Sequence, residues 1–494
     1  MADQSPRNPM PEQPADQRIL NFDEVALGYT PELAAAEAQR CWQCKKQPCI
    51  AGCPVQVQIP QFIAQVAAGD IAGAYATIAA TNSLPAICGR VCPQESQCEV
   101  VCSRAARGEA VAIGRLERYV ADWHLQQPAS AVGTTPTLEH SSTSQPSAVT
   151  ASKPTTAWPL VAGSADPIMP RVAIVGAGPA ALTCAGDLAK LGYDVTLLES
   201  FHTAGGVLVY GIPEFRLPKE IVAQEIQNLK TLGVNIETDT VVGRSVSLDE
   251  LLGQDYQAVF IGSGAGLPTF LGIPGENLLG VFSANEYLTR INLMKAYRPD
   301  YDTPLIRFQH VAVIGAGNVA MDAARCARRL GSEVTVVYRR GRAEMPARLE
   351  EVEHAEAEGI HFCFLANPLM IQGDEKRRVT ELVCQAMELG PEDASGRRRP
   401  QPKADAQFTL AVDAVIVAVG TQPNPLLAAS TPDLAVNSQG CLITDAQGAT
   451  TKPGVFAGGD AVTGSATVIL AMGAGKIAAA AIDRYLRGEI DPWH

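Results

Sequence analysis

Residues 171–199 read RVAIVGAGPAALTCAGDLAKLGYDVTLLE. The run divides into a strand, a glycine turn, a helix and a second strand. VAIV is a short, unbroken apolar run of the kind buried on both faces of a parallel sheet. Gly176 permits a tight turn and Gly178 lets the backbone approach a pyrophosphate. Ala181 stands where a small residue keeps the helix close to the strand. Free N–H groups at the helix start then face the phosphates. Glu199 closes the second strand about twenty residues on, where an acid accepts a ribose 2′-hydroxyl. The glycine pattern alone is weak, since a glycine turn also serves ordinary βαβ units. Strand, turn, helix and terminal acid together predict a dinucleotide site.

Residues 311–340, VAVIGAGNVAMDAARCARRLGSEVTVVYRR, repeat the pattern with one difference. Gly315, Gly317 and Ala320 repeat the turn, but the second strand ends in Arg339 and Arg340. An acid at that place favours a free ribose hydroxyl, whereas arginine accommodates a 2′-phosphate. The first site therefore suits FAD and the second NADPH. A solvated strand end is the plain alternative for the arginine pair. Two such sites in one chain imply hydride transfer from a nicotinamide to a flavin.

The chain has 494 residues, enough for about three domains of ordinary size. Its hydrophobic share of 47% against 18% charged residues supports sizeable cores. A net charge of −13 argues against nucleic acid as a partner. No apolar run reaches the length of a membrane helix, so no membrane association is expected. The start, MADQSPRNPMPEQPADQ, is polar and proline-rich without an apolar signal core, so the expected location is cytoplasmic. Of 13 cysteines, eight fall between Cys41 and Cys102. The other five lack redox-motif spacing and read as small buried hydrophobes.

Residues 1–30 read as a disordered or loosely attached arm. An alanine-rich helical region follows over 31–124. Its cysteines stand in CWQCKKQPCIAGCP (41–54) and CGRVCPQESQCEVVC (88–102). Spacings this short gather several thiolates around one point. Cys-Pro after a dense cysteine run is the habit of iron–sulfur ferredoxins, where that cysteine serves the other cluster of a pair. Cys53, before Pro54, is therefore assigned to a different cluster from Cys41, Cys44 and Cys49. Zinc competes for the same residues. Structural zinc prefers two separated C-x-x-C pairs, however, and only one C-x-x-C occurs. Disulfides do not suit the expected compartment. Cys88 is left over and reads as a core residue.

Residues 125–170, rich in Ser, Thr and Pro, read as a semi-extended linker. The first part of the FAD domain is placed at 171–284. The NADPH domain is placed at 285–415 and the second part of the FAD domain at 416–494. Within the first part, Gly205 and Gly206 permit close backbone approach. Arg216 is a candidate phosphate or flavin contact, with an ordinary surface charge as the alternative. MPARLEEVEHAEAEG (345–359) reads as an acidic helix with a solvated face, and His354 and His361 as structural. The run from Asp413 reads as the strand returning the chain to the FAD domain. Near the end a strand delivers Gly459 and Asp460, placing a carboxylate at the ribityl chain. A helix starting near Thr467 then faces the flavin. The fold class is thus α/β. It has two Rossmann-like nucleotide-binding domains, the FAD domain split by an inserted NADPH domain, and an α-helical iron–sulfur domain ahead of them.

Flavoproteins with two nucleotide sites often reduce a disulfide, but no closely spaced cysteine pair follows Cys102. The electrons then leave through the N-terminal cysteines, on a route from NADPH to FAD to iron–sulfur clusters to an external acceptor. FAD joins the two-electron donor to one-electron carriers.

CWQCKKQPCIAGCP, LPAICGRVCPQESQCEVVC, AIGRLERYV, VAIVGAGPAA, YGIPEFRLP, VAVIGAGNVAMD, VYRRGRAEMP and VFAGGDAVTGS together resemble the small (beta) subunits of bacterial NADPH-dependent glutamate synthase. The likeness spans nearly the whole chain. The same module is similar to the N-terminal part of dihydropyrimidine dehydrogenase and to one subunit of an NADPH–ferredoxin transhydrogenase. The resemblance implies two 4Fe–4S clusters. It suggests Cys41, Cys44, Cys49 and Cys102 for one, and Cys53, Cys92, Cys98 and Glu117 for the other. Without it Glu117 reads as a solvated helix residue. FAD contacts are expected at Gly176, Gly178, Pro179, Ala180, Glu199, Gly206, Arg216, Gly459, Asp460 and Thr467. NADP contacts are expected at Gly315, Gly317, Asn318, Val319, Arg339, Arg340 and Gly420. The implied role is electron input from NADPH to an FMN-containing glutamate synthase large subunit. The alternatives are an electron chain feeding ferredoxin or a pyrimidine reductase, and a non-catalytic redox sensor or scaffold. No protein acid or base is needed, because the cofactors carry the reaction.

Overall fold

The apolar runs ahead of both glycine turns form parallel strands with no exposed residue between Val172 and Val175 or between Val311 and Ile314. The computed structural model describes residues 5–127, 169–392, 396 and 398–493. The expected linker over 125–170 falls, except at its two ends, outside the described residues.

A short helix, α1 (Ala15–Arg18), precedes α2 (Pro31–Gln39), α3 (Pro48–Ala51), α4 (Ile59–Ala67), α5 (Ile71–Ala79), α6 (Pro85–Val91) and α7 (Ile113–Leu125). Their starts are chemically marked. The side chains of Thr30 and Asp70 accept the N–H groups of Leu33 and Gly73, and proline opens α2, α3 and α6.

The first nucleotide unit comprises β1 (Arg171–Val175), α8 (Pro179–Lys190), β2 (Asp194–Leu198), α9 (Val207–Tyr210), α10 (Lys219–Thr231), β3 (Asn235–Glu237), α11 (Leu248–Gly253) and β4 (Tyr256–Ile261). After β5 (Leu267–Pro268) come β6 (Val281–Ser283), α12 (Ala284–Asn292), β7 (His310–Ile314), α13 (Asn318–Arg329), β8 (Glu333–Tyr338), α14 (Leu349–Ala357) and β9 (His361–Phe364). An antiparallel excursion, β10 (Ala366–Gly373), β11 (Val379–Glu392) and β12 (Arg398–Ala411), leads to β13 (Ala414–Val417). The chain ends through β14 (Thr421–Gln422), α15 (Leu426–Ser430), β15 (Val455–Ala457), α16 (Asp460–Thr463) and α17 (Val468–Leu486).

The first sheet has the order β15-β4-β1-β2-β3, with Val172 beside Val195 and Phe456 beside Phe260. Its outermost strand, β15, thus comes from the far end of the chain. The second sheet, β6-β13-β7-β8-β9, is also parallel and is built entirely from intervening residues.

Two details differ from the sequence reading. Val281–Ser283 pair with β13, so the second sheet begins ahead of residue 285. The run from Asp413 is a strand of that second sheet, between β6 and β7, and does not belong to the first. A wholly buried apolar strand suits either sheet equally, and periodicity does not say which. The return is made by β14, which pairs antiparallel with β5.

The expectation of a loose arm over 1–30 is also corrected for its described part. Tyr29 donates its hydroxyl to the Asn8 carbonyl at 2.6 Å, and Val25 N–H donates to the Phe215 carbonyl at 2.9 Å. Arg18 is buried against Glu358. Low apolar content suggested disorder, but this segment is held by polar bonds to distant residues, which composition does not register.

One apolar core runs from the helical region (Phe62, Ile87, Leu116) into the first unit (Val172, Leu182, Val195) and α17 (Met472, Ile482). The second sheet has its own core around Val311, Val313, Met321 and Val336. No helix among the described residues is long and apolar enough to cross a membrane.

Candidate functional site

The first glycine turn is shaped by near-contacts that only glycine permits. Gly176 has φ +95°, and a Cβ there would lie 2.7 Å from the Gly262 carbonyl oxygen. Space over Gly178 is open on its own side, while a Cβ on Gly206 would lie 2.8 Å from the Gly178 Cα. The backbone of 205–206 therefore crosses the turn, tied by Gly205 N–H to the Ala177 carbonyl at 3.0 Å.

Glu199 is buried at the end of β2. One carboxylate oxygen accepts Ala177 N–H at 2.7 Å, and the other accepts Phe201 N–H at 2.9 Å. The acid is thus held in place with lone pairs to spare for a hydroxyl.

Asp460 follows Gly459, whose Cβ would meet the Ala180 methyl at 2.9 Å, so this carboxyl stands beside the start of α8. Burial, opposed by the Ala466 N–H it accepts, pushes it up to about 6. Thr467 caps α17 by accepting Leu470 N–H. Pro179 and Ala180 form the buried first turn of α8. This open, donor-rich cradle fits an FAD pyrophosphate and ribose.

Arg216 does not belong to that cradle. Its guanidinium is buried in ion pairs with Asp322 on α13, at 2.7 Å, and Glu351 on α14, at 2.8 Å. Both partners lie more than a hundred residues away in sequence, so the local motif carries no sign of them.

In the second turn a Cβ on Gly315 would lie 2.3 Å from the Ala418 carbonyl oxygen. Gly317 is open save for the Pro346 ring, and Gly420 faces open space. Val319 is exposed on the first turn of α13. Asn318 uses its carboxamide oxygen to accept Arg348 N–H at 2.9 Å, so it positions the 346–348 loop. The arginine pair divides. Arg339 is exposed at the end of β8, whereas Arg340 is buried and donates through Nε to the Arg398 carbonyl at 3.0 Å.

The acidic helix α14 has the expected solvated face at Glu353 and Glu356, but not all its acids lie on it. Glu351 is buried on it and Glu358 just beyond its end. Glu358 accepts from three guanidiniums: Arg18 at 2.9 Å, Arg325 at 2.7 Å and Arg329 at 2.7 Å. Burial alone would raise this carboxyl, but Arg325 and the bonds from both α13 arginines outweigh it and hold it at about 2. The Phe215 ring lies under Arg329 at 3.8 Å and Arg325 at 4.7 Å.

None of the thirteen cysteines is in a disulfide. Cys41, Cys44, Cys49 and Cys102 line one cavity with Trp42, Ile59 and Ile63. Ser103 Oγ donates to Cys44 Sγ at 3.4 Å. Burial, with the other three thiols adding to it, pushes Cys49 up to about 12.

Cys53 forms a second group with Cys92, Cys98 and Glu117, whose charges act on one another. Burial pushes Cys53 up to about 11. Four thiols around one cavity, and three thiols with a buried carboxyl, are donor sets that fit iron–sulfur clusters. Glu117 is buried, not solvated. Burial pushes its carboxyl up to about 7, against the Asn82 side chain, which donates to Oε1 at 2.7 Å.

Asn82 was not singled out from the sequence. Its oxygen also accepts Leu84 N–H at 2.9 Å, an Asx turn ahead of Pro85, and the N-S-L-P string was the one available signal. Cys88, buried, contacts Asn82 Oδ1 at 3.6 Å and Met472 Sδ at 3.4 Å.

Helix α17 lies between these regions. A Cβ on Gly473 would come 3.3 Å from the Pro54 carbonyl oxygen, and one on Gly475 2.3 Å from that of Ala180.

Comparison with known proteins agrees with this layout. Residues 18–129 match the family model described as dihydropyrimidine dehydrogenase domain II, 4Fe-4S cluster, and residues 170–475 match pyridine nucleotide-disulphide oxidoreductase. The chain is 35% identical over 481 residues to the glutamate synthase [NADPH] small chain of Halomonas elongata, covering 96% of this chain and 95% of the relative. It is 39% identical over 459 residues to the NADP(+)-dependent formate dehydrogenase subunit beta of Moorella thermoacetica, covering 90% of this chain but only 62% of that longer relative. Among solved structures, Mycobacterium tuberculosis FprA in complex with NADPH superposes with a TM-score of 0.55 at 24% identity, covering 65% of this chain and 85% of that one. The chain therefore belongs to the pyridine nucleotide-disulphide oxidoreductase family, in the group that carries a 4Fe–4S domain ahead of the nucleotide units and includes glutamate synthase small chains.

Proposed function

We propose that this protein is the electron-input subunit of an NADPH-dependent glutamate synthase, working in the cytoplasm with a large subunit that makes glutamate. One observation carries the reading: glutamate synthase small chains match it along almost their entire length, the cysteine-bearing region included. When bound, FAD takes electrons in pairs from NADPH, and the clusters take them on singly.

The chain's own residues bind and orient. The turn at Gly176–Ala180 and the α8 N–H groups hold the FAD pyrophosphate, with Glu199 at the ribose. Gly206, Gly459, Asp460 and Thr467 would border the flavin. Gly315, Gly317, Val319 and Gly420 border the NADPH groove, and Arg339 meets its 2′-phosphate. Cys41, Cys44, Cys49 and Cys102 hold one cluster, and Cys53, Cys92, Cys98 and Glu117 the other.

The test is reconstitution. Purified chain should reduce dyes with NADPH, and glutamate should form from glutamine and 2-oxoglutarate only when the large subunit is added. Dye reduction without glutamate in that mixture sinks the reading.

A second reading, input to another reductase, is favoured by the likeness to the formate dehydrogenase beta subunit. It predicts physiological rates to ferredoxin or another acceptor in the absence of the large subunit.

A further inference from the structure

We propose that the face carrying Trp42, Lys45, Lys46, Val100, Val101 and Arg107 is the docking surface for a one-electron acceptor protein whose own contact surface is acidic around an apolar centre. This rests on the assignment of a cluster to Cys41, Cys44, Cys49 and Cys102.

Three large apolar side chains are exposed on two segments that both carry these cysteines. Trp42 is 36% exposed, Val100 58% and Val101 41%. Buried neighbours do not account for them, and exposed apolar groups gathered in one place mark interaction sites.

The two segments form one face. Arg104 and Arg107 lie over the Trp42 ring at 5.6 and 5.8 Å. Ser103 bonds Cys44, and a Cβ on Gly52 would meet Val101 at 2.7 Å. Trp42 also walls the cavity lined by the four cysteines, so a partner resting on the ring comes close to the proposed cluster.

Charge selects the partner. Lys45, Lys46 and Arg107 are exposed and make no ion pair among the described residues. The nearby exposed acid, Glu109, accepts Arg7 N–H at 2.7 Å. A cationic patch attracts an acidic surface, while the chain's net charge of −13 acts against association with other copies of itself. Trp and Arg at the centre are the residue types that dominate binding energy.

The test uses the full-length protein with its cofactors. Binding is measured by titration at 50 and 300 mM salt, with two probes: the glutamate synthase large subunit and an acidic ferredoxin. The double variant Lys45→Glu/Lys46→Glu should raise Kd at least about tenfold at low salt and much less at high salt. Val100→Ser/Val101→Ser should raise Kd at both salt levels. Iron content, the visible spectrum and NADPH–ferricyanide reduction should stay as in the wild type for the lysine variant.

Binding to ferredoxin but not to the large subunit would support the face and sink the glutamate reading. Unchanged Kd in both variants, or no wild-type binding to either probe, overturns the face. So does sedimentation showing that the wild type self-associates while the lysine variant is monomeric.

Discussion

Helices α8 and α13 start from nearly the same turn and end in opposite surroundings. PAALTCAGDLAK buries Leu182, Cys184 and Leu188 and lies along α17 within one apolar core shared with the cysteine-bearing helices. NVAMDAARCARR buries Asp322, Arg325 and Arg329, whose partners come from the arm, from Arg216 and from the α14 region. The glycine turn fixes only how a helix begins. The body of the helix decides what its unit is joined to and by what kind of force. Apolar contact joins the first unit to the cysteine region. The second unit is joined to the arm and to the 215–216 segment by apolar contact at Val25 and Phe215 and, in addition, by buried ion pairs, which add little net stability but strongly penalise the loss of one partner.

The sharpest way to break this contrast is Glu358→Ala, which strands three guanidiniums. Its unfolding free energy should fall by about 3–5 kcal/mol in urea titrations at neutral pH. A loss below about 1 kcal/mol would mean that the ionic joint holds nothing. The wild type should show the same group in acid. A carboxylate held at about 2 contributes stability above the unfolded value of about 4.3 and loses it as pH falls through 2, so the variant should lack that acid-sensitive share.

Next in size, Arg339→Ala should cut the NADPH-over-NADH preference in kcat/KM by about 10- to 100-fold, chiefly through KM. Arg340→Ala should change it less, since that side chain already holds the Arg398 carbonyl. Equal effects would undo the division between the two.

The apolar joint has one acid of its own, and it sharpens the comparison. Glu225 on α10 accepts Ala86 N–H from α6, yet burial outweighs that bond and pushes it up to about 7. Its stability contribution is present below about 4.3 and lost as pH rises through 7. Glu225→Gln should therefore be more stable than wild type at pH 8, by roughly 3 kcal/mol, with the gain shrinking to about 1 kcal/mol near pH 5. Thermal melts at the two pH values decide it, and a gain at pH 5 alone contradicts it.

The smallest effect concerns what the two turns share. Ala181→Gly and Ala320→Gly should each cost about 1 kcal/mol, both methyls being fully buried. Markedly unequal costs would show that the turns are not equivalent.

Both glycine units were readable from sequence because their chemistry is local: a turn, a strand and a charge at its end. The cysteine groups were readable from spacing as far as Cys53. The separation of Cys102 from Cys92 and Cys98 came only from family resemblance. Glu117 reads as an exposed position among arginines until Asn82, thirty-five positions away, is folded against it. Arg216 and Glu358 are illegible for the same reason, because their partners are remote and a charge run carries no mark of burial. The sheet of strand β13 is not legible in the sequence, because its wholly apolar run fits either one.

Helix α17 presents glycine on two sides, to Pro54 beside Cys53 and to Ala180 in the first turn. At these two glycines the helix meets its neighbours through backbone, while Met472 next to Gly473 reaches Cys88 with its side chain; the helix is about 5 Å across at its Cα atoms. Substitution at either glycine can only thicken it. Under the proposed electron route transfer weakens steeply with separation, so a side chain added at 473 or 475 is expected to slow it.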